Sequence, residues 1–113
     1  MKIWFRNRKL EQDLNDYSQT VRAYGSENAK KIRLRLQALL AAESLADFPP
    51  GTPPERCHEL LGDLAGTFSI DLKQPYRLLF IPKICADPRP ADRKTFWSSV
   101  TEIEITEVRD THG

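Results

Sequence analysis

Residues 67–81 read TFSIDLKQPYRLLFI, and this stretch decides the fold class. Its first six residues alternate polar with apolar side chains, and its last six form a compact, mostly apolar run. Both patterns are typical of β-strands, and the KQP between them favours a turn. The stretch therefore predicts a β-hairpin.

Two helices are predicted on the N-terminal side of the hairpin. Apolar side chains recur every three or four residues in the first, and they are Leu10, Leu14, Tyr17, Val21 and Tyr24. Gly25 is the predicted C-terminal cap, and Ser26 with Glu27 favours the start of a second helix. That helix is predicted to bury one apolar face, formed by Ala29, Ile32, Leu36, Leu39 and Leu40. Its predicted basic exterior comprises Lys30, Lys31, Arg33 and Arg35.

Further strands are predicted towards both ends of the chain. Residues 3–5 (IWF) favour a short strand, and residues 100–108 (VTEIEITEV) favour another that buries Ile103 and Ile105. Val108 is out of phase with that pair, so either the strand bulges near Thr106 or Val108 faces a different partner. Proline-bearing loops are predicted at residues 47–54 (DFPPGTPP) and at roughly residues 82–94.

The predicted order is β-α-α-β-β-β, which indicates an α+β fold with two N-terminal helices packed on one face of a small antiparallel-rich sheet. A length of 113 residues suits a single domain, covering residues 1–113. The composition, 40% hydrophobic and 29% charged, excludes a disordered or fibrous chain. No apolar run is long enough to span a membrane and no signal peptide is recognisable, so we expect a cytoplasmic protein.

The charged and cysteine residues narrow the possible ligands. Residues 1–40 hold nine Lys/Arg against four Asp/Glu, which is compatible with RNA binding, although most charge-rich helices are simply solvated. The candidate RNA-binding cations are Arg6, Arg8 and Lys9 with those of the second helix, Lys30, Lys31 and Arg33. Cys57 and Cys85 lie outside any zinc-type spacing. We therefore expect free thiols and no metal or other cofactor.

The two histidines are candidate groups for RNA cleavage. RNA is cut without a metal when its 2′-hydroxyl attacks the neighbouring phosphate, which requires a base, a proton donor and cations on the phosphate. His58 lies in RCHELLGDLAG, residues 56–66, and histidine is the most frequent general base in enzymes. The alternative is a partly exposed loop histidine bonded to Glu59 or Asp63. His112 is the second histidine.

Arg77 interrupts an apolar strand, where a guanidinium group is costly unless it is paired or points out of the sheet. A bound phosphate would explain it, and so would an ion pair with Asp71 across the hairpin or with the C-terminal acids. Asp110 and His112 either share an edge with the last strand or lie in a frayed terminus. The residues alone leave these alternatives open.

Three segments together resemble a known family. AKKIRLRL at residues 29–36, CHEL and GDLAG within residues 57–66, and PYRLLF at residues 75–80 resemble the HigB-type toxins of the RelE/ParE superfamily. The resemblance covers nearly the whole chain in the family's order. It implies a RelE-like fold and a ribosome-dependent mRNA endonuclease, the toxin of a type II toxin-antitoxin system. The implied partners are a HigA-type helix-turn-helix antitoxin, the ribosome and mRNA.

The resemblance also implies roles for particular residues. His58 corresponds to the histidine that takes part in cleavage and Arg77 to the arginine that holds the scissile phosphate, while the Asp110–His112 tail corresponds to a terminal D-Y-H. Two positions depart from the family. Leu61 stands where a lysine is common and Thr111 where a tyrosine is usual.

These departures support a second interpretation. An apolar side chain cannot stabilise a pentavalent phosphate, and threonine offers neither a stacking ring nor a phenol. Lys73 or the helix cations could supply the missing charge. Otherwise the chain would be a non-catalytic binding module, either a ParE-like gyrase poison or a degenerate toxin that only binds its antitoxin. A third interpretation is an unrelated role for this fold.

Overall fold

The computed structural model describes residues 1–83 and 88–110. Its helices and strands follow the order β1 (Lys2–Phe5), α1 (Arg8–Asn15), α2 (Tyr17–Tyr24), α3 (Ser26–Ala41), β2 (His58–Glu59), β3 (Phe68–Asp71), β4 (Tyr76–Pro82), α4 (Arg93–Ser99) and β5 (Glu102–Asp110). Short 3-10 turns span Leu45–Asp47 and Gly62–Leu64. Within the described ranges, no helix is long and apolar enough to cross a membrane.

The five strands form one sheet in the order β1-β5-β4-β3-β2. Only the β1–β5 pair is parallel, and the other three pairs are antiparallel. The hairpin predicted from residues 67–81 is present as β3 and β4, with Asp71 opposite Arg77. The α+β class and the antiparallel-rich sheet are therefore confirmed.

The sequence predicts one helix before Gly25, and this prediction is wrong. Asp16 divides the segment into two helices, α1 and α2. Asp16 has extended backbone angles, and its carboxylate accepts hydrogen bonds from the Ser18 and Gln19 amides at 3.0 and 3.4 Å. It thereby caps the start of α2. Tyr17, which the apolar pattern placed in a buried stripe, is 40% exposed.

The prediction for α3 is right at its start and on most of its apolar face. Gly25 ends α2 with φ +87° and ψ 163°, angles that favour glycine, and α3 begins at the next residue. Two residues depart from the predicted pattern. Leu40 is 60% exposed, because it lies in a groove beside the α1–α2 junction rather than under the helix. Arg35 is buried instead of belonging to the basic exterior.

Two short elements were not predicted at all. β2 has two residues, His58 and Glu59, and pairs with β3 at the edge of the sheet. α4 follows the predicted second loop, and the Asp92 carboxylate caps it by accepting a hydrogen bond from the Thr95 amide at 2.9 Å. Its Phe96 is buried in the core.

The core lies between the helices and one face of the sheet. Phe68 of β3 is fully buried, stacked on Phe80 at 5.7 Å between ring centroids and edge-on to Trp97 at 5.5 Å. Ile103 and Ile105 of β5 are fully buried, as predicted.

A bulge in β5 explains the phase of Val108. Leu79 pairs with Glu107 but Phe80 pairs with Ile105, so Thr106 is the extra residue. The bulge turns Val108 towards the core, where it packs against the buried cluster. Of the two explanations offered by the sequence, the bulge near Thr106 is therefore the one confirmed.

Cys57 is a free thiol buried at the start of β2. Burial, with a smaller contribution from the negative charge of Glu55, raises its pKa to about 12. The thiol is therefore protonated and unreactive at neutral pH. Cys85 lies outside the described residues.

Candidate active site

The sheet face opposite the core carries the candidate site, and we call it the site face. In a sheet, residues directly opposite one another in adjacent strands point to the same side. His58 lies opposite Ser69, which lies opposite Leu79, and all three are on the site face, away from the Phe68 and Phe80 rings. Ser69 and Leu79 are buried, whereas His58 is partly exposed.

Arg77 lies on the same face as His58, two strands away. Its row runs from Asp71 through Arg77 to Arg109. Strand spacing and residue rise place the backbones of His58 and Arg77 about 12 Å apart. That separation allows both side chains to reach one substrate group between them.

The hydrogen bond of His58 determines which ring nitrogen can act as a base. Its Nδ1 lies 2.8 Å from the carbonyl oxygen of Arg56. Since a carbonyl oxygen only accepts, Nδ1 carries the proton and Nε2 of the neutral ring keeps its lone pair. The alternative partner Glu59 is instead bonded to both Nη groups of Arg89, at 2.9 and 2.5 Å. His58 is thus arranged as a proton acceptor.

Arg77 approaches Asp71, as one of the sequence alternatives proposed. Its Nε lies 3.7 Å from Asp71 Oδ1, which is an ion pair but too long for a hydrogen bond. Within the described part of the chain, neither of these two buried atoms has a hydrogen-bond partner. The Arg77 side chain is 29% exposed. It therefore remains able to donate to an added anion.

Arg56 is the main site residue that sequence reasoning missed. Its Nε lies 3.5 Å from Oδ2 of Asp71, on the other side of the carboxylate from Arg77. Its backbone has φ +50°, unusual for a residue other than glycine. The only sequence signal was its position two residues before His58, which by itself is no evidence of proximity to Arg77.

Arg35 and Arg109 were also missed as neighbours of this cluster. Arg35 is buried in α3, and its guanidinium donates to the carbonyl oxygens of Asp71 at 2.9 Å and Pro54 at 3.4 Å. It therefore ties the segment before Arg56 to the end of β3. Arg109 pairs with Arg77 in register, so it adds another cation to the site face, and Glu107 lies 3.5 Å from its Nε.

Asp110, the one tail residue that the structure describes, is not brought to the same place. Asp110 lies opposite Tyr76, which packs against the core cluster, so strand alternation directs it away from the site face. His112 and Thr111 lie outside the described residues. Leu61 is 88% exposed and adds no charge near His58.

The predicted RNA-binding cations lie mostly away from His58. Arg6 is at the far edge of the site face and is bonded to Glu104 at 3.0 Å. The α3 cations are on the helix side of the sheet, since the apolar face of α3 packs on the core, and they are Lys30, Lys31 and Arg33. Arg8 is exposed at the start of α1.

Lys9 and Lys73, like Arg6, have acidic partners of their own. Lys9 is paired with Asp13 at 3.0 Å and Lys73 with Glu27 at 2.7 Å. Lys73 is at the β3–β4 turn, in a different segment from Leu61. In the same described ranges, no three His, Cys, Asp or Glu side chains gather closely enough to hold a metal ion.

Solved structures share this fold, although the sequence matches no family model and no curated protein. A YoeB/ParE toxin from Agrobacterium tumefaciens has a TM-score of 0.57 and 15% identity, over 99% of this chain and 100% of that one. A YoeB dimer from Staphylococcus aureus has a TM-score of 0.53 and 16% sequence identity, over 96% of this chain and 94% of that one. A YoeB-YefM complex from the same organism has a TM-score of 0.52 and 15% sequence identity, over 96% of this chain and 94% of that one. The chain therefore has the fold of the YoeB/ParE toxins.

Proposed function

We propose that the chain is the toxin of a type II toxin-antitoxin system and a HigB-type, ribosome-dependent mRNA endonuclease that uses no metal. The proposal rests on one observation. His58, whose Nε2 can accept a proton, and the partly exposed Arg77 lie on the same face of the sheet. The YoeB/ParE-type fold supports it.

The chemistry follows from these two groups. His58 Nε2 takes the proton of the ribose 2′-hydroxyl as that oxygen attacks the adjacent phosphorus. Arg77 donates hydrogen bonds to the non-bridging oxygens, which carry increasing charge in the pentavalent transition state. The P–O5′ bond breaks, and the products are a 2′,3′-cyclic phosphate and a 5′-hydroxyl. Asp110 is directed away from this face, so His112 is the proposed proton donor to the leaving 5′-oxygen.

The proposal includes macromolecular partners. One similar structure is titled a complex of YoeB with YefM. By analogy, we propose that this chain is held inactive by an antitoxin, of the HigA helix-turn-helix type. Cations of three regions are proposed to contact RNA or the ribosome. They are Arg6, Arg8 and Lys9 near the N-terminus, Lys30, Lys31 and Arg33 of α3, and Lys73 of the β3–β4 turn.

The test is induction of the wild type, His58→Ala and Arg77→Ala in bacterial cells, with growth and transcript ends measured. We expect the wild type to stop growth and cut mRNA, and each variant to lose both effects. Arg22→Ala is the matched control, because Arg22 is exposed on α2, away from the site face. Circular dichroism checks folding. Cleavage at the wild-type rate by the two folded variants would show that their roles are wrongly assigned.

A second candidate function is a non-catalytic toxin, such as a ParE-like gyrase poison. Leu61 favours it, because its 88% exposed side chain provides no charge for phosphate binding where the resembled family commonly has a lysine. The same induction experiment distinguishes the two. Gyrase poisoning breaks chromosomal DNA and leaves transcripts intact, whereas the endonuclease shortens transcripts and leaves DNA intact.

A further inference from the structure

We propose that Arg56 is a second phosphate-binding residue, acting with Arg77 on the RNA backbone beside His58. The inference rests on the proposed function and deepens it. The relevant feature is one carboxylate between two guanidinium groups: Asp71 lies 3.5 Å from Nε of Arg56 and 3.7 Å from Nε of Arg77.

The charges of this cluster do not balance. Two guanidinium groups face one carboxylate, which leaves one positive charge within this cluster, while the neighbouring Arg109 has Glu107 as its own acidic partner. Each guanidinium has five N–H donors, and both contacts with Asp71 exceed a normal hydrogen-bond length. A phosphodiester carries one negative charge and two non-bridging oxygens, so it can neutralise the cluster and accept from both arginines. In this arrangement Asp71 fixes the distance between the two arginine side chains but cancels only one of their two positive charges.

Arg56 is also connected to the proposed base through its backbone. Its carbonyl oxygen accepts from His58 Nδ1 at 2.8 Å. The residue has φ +50°, a left-handed conformation that is costly for L-residues and would suit glycine better. Its side chain is 61% exposed, so burial does not explain why an arginine is here. Phosphate binding explains both the charge and its position.

Arg35 fixes the geometry from the opposite side of β3. It holds the carbonyl oxygens of Pro54 and Asp71 together, and the Asp71 amide donates to the Glu55 carbonyl at 2.7 Å. These contacts attach the segment leading to Arg56 to the strand that carries Asp71. Arg56 thus provides a cation near His58 although Leu61 is apolar.

Arg56→Gly is the informative variant, because glycine tolerates φ +50° and removes only the side chain. Arg56→Lys restores the charge, and Arg22→Ala is the control on an unrelated surface. Two measurements are made on each purified protein. The first is cleavage of mRNA on programmed ribosomes, and the second is binding of a 2′-deoxy-substituted, uncleavable single-stranded RNA over a series of salt concentrations.

We expect Arg56→Gly to unfold at the same or a higher denaturant concentration than the wild type. Its kcat/KM should fall about tenfold to a hundredfold, with partial recovery in Arg56→Lys. The slope of log affinity against log salt should decrease by about 0.7, the value for one lost phosphate contact on a single strand. An effect that acted only through the orientation of His58 would change the pH profile of cleavage and leave this slope unchanged.

Other outcomes separate this inference from the proposed function. If the wild type cleaves mRNA and Arg56→Gly has the same rate and salt slope, the endonuclease stands and the role of Arg56 is refuted. If the wild type does not cleave but Arg56→Gly loses salt-dependent RNA binding, the endonuclease fails and the phosphate contact stands. Absence of RNA binding by the wild type refutes the contact.

Discussion

Replacing Phe68 by alanine should remove a large part of the stability of the fold. Phe68 is fully buried in β3, stacked on Phe80 and edge-on to Trp97. Deleting a buried phenylalanine side chain costs about 3–5 kcal/mol, through lost burial and the cavity left behind. Small domains have free energies of unfolding of only about 5–15 kcal/mol. We therefore expect Phe68→Ala to lose about 4 kcal/mol.

Phe68→Leu is the matched comparison, because it retains most of the apolar volume and loses the ring. Aromatic pairs add about 0.5–1.5 kcal/mol beyond burial, so this variant should lose roughly 1–2 kcal/mol. Urea unfolding followed by circular dichroism measures both. With a urea dependence of about 2 kcal/mol per molar, the alanine midpoint should fall by about 2 M. A loss below about 2 kcal/mol for alanine, or equal losses for both variants, would refute the stacked core as the main source of stability.

Two further predictions concern the backbone and pH. Gly25→Ala should lower the free energy of unfolding by about 1–3 kcal/mol, because φ +87° with ψ 163° strains an L-residue. The strain comes from the backbone alone, since a Cβ at this position would meet no atom within 4 Å. Thermal unfolding measures the effect, and an unchanged melting temperature would contradict it. The hydrogen bond from Arg89 lowers the pKa of Glu59 below 4.5. Its stabilising contribution is therefore complete above that pH and is lost as the pH falls through the lowered pKa. Glu59→Gln should flatten the acid limb of a urea-unfolding series, and an unaltered limb would exclude this contribution.

The sequence predicts the elements whose signals are local and repeated. The β3–β4 hairpin follows from periodicity, and the helix boundary at Gly25 follows from the backbone preferences of glycine. For β5 the periodicity shows the change of phase at Val108 but leaves two explanations, and the register selects the bulge. The break at Asp16 does not, because the apolar spacing continues across it and an aspartate on the outside of a helix is equally ordinary. β2 has only two residues and exists because β3 provides a partner.

The candidate site shows the same limit. His58 and Arg77 were identified from the sequence, and Asp71 was recognised as a possible partner of Arg77. The strand register then placed all three on one face. Arg56 could not be found, because its approach to Asp71 depends on its left-handed backbone and on the carbonyl contacts made by Arg35. Local patterns do not encode such long-range contacts.

The parallel pairing of β1 with β5 has a consequence for synthesis of the protein. Lys2 lies opposite Glu102, so about a hundred residues must be translated between one strand and its partner. A nascent chain lacking residues 102–110 leaves β1 unpaired and one side of β4 open. We therefore expect the sheet to form late, after β5 has left the exit tunnel. Prematurely terminated products would consequently be unfolded.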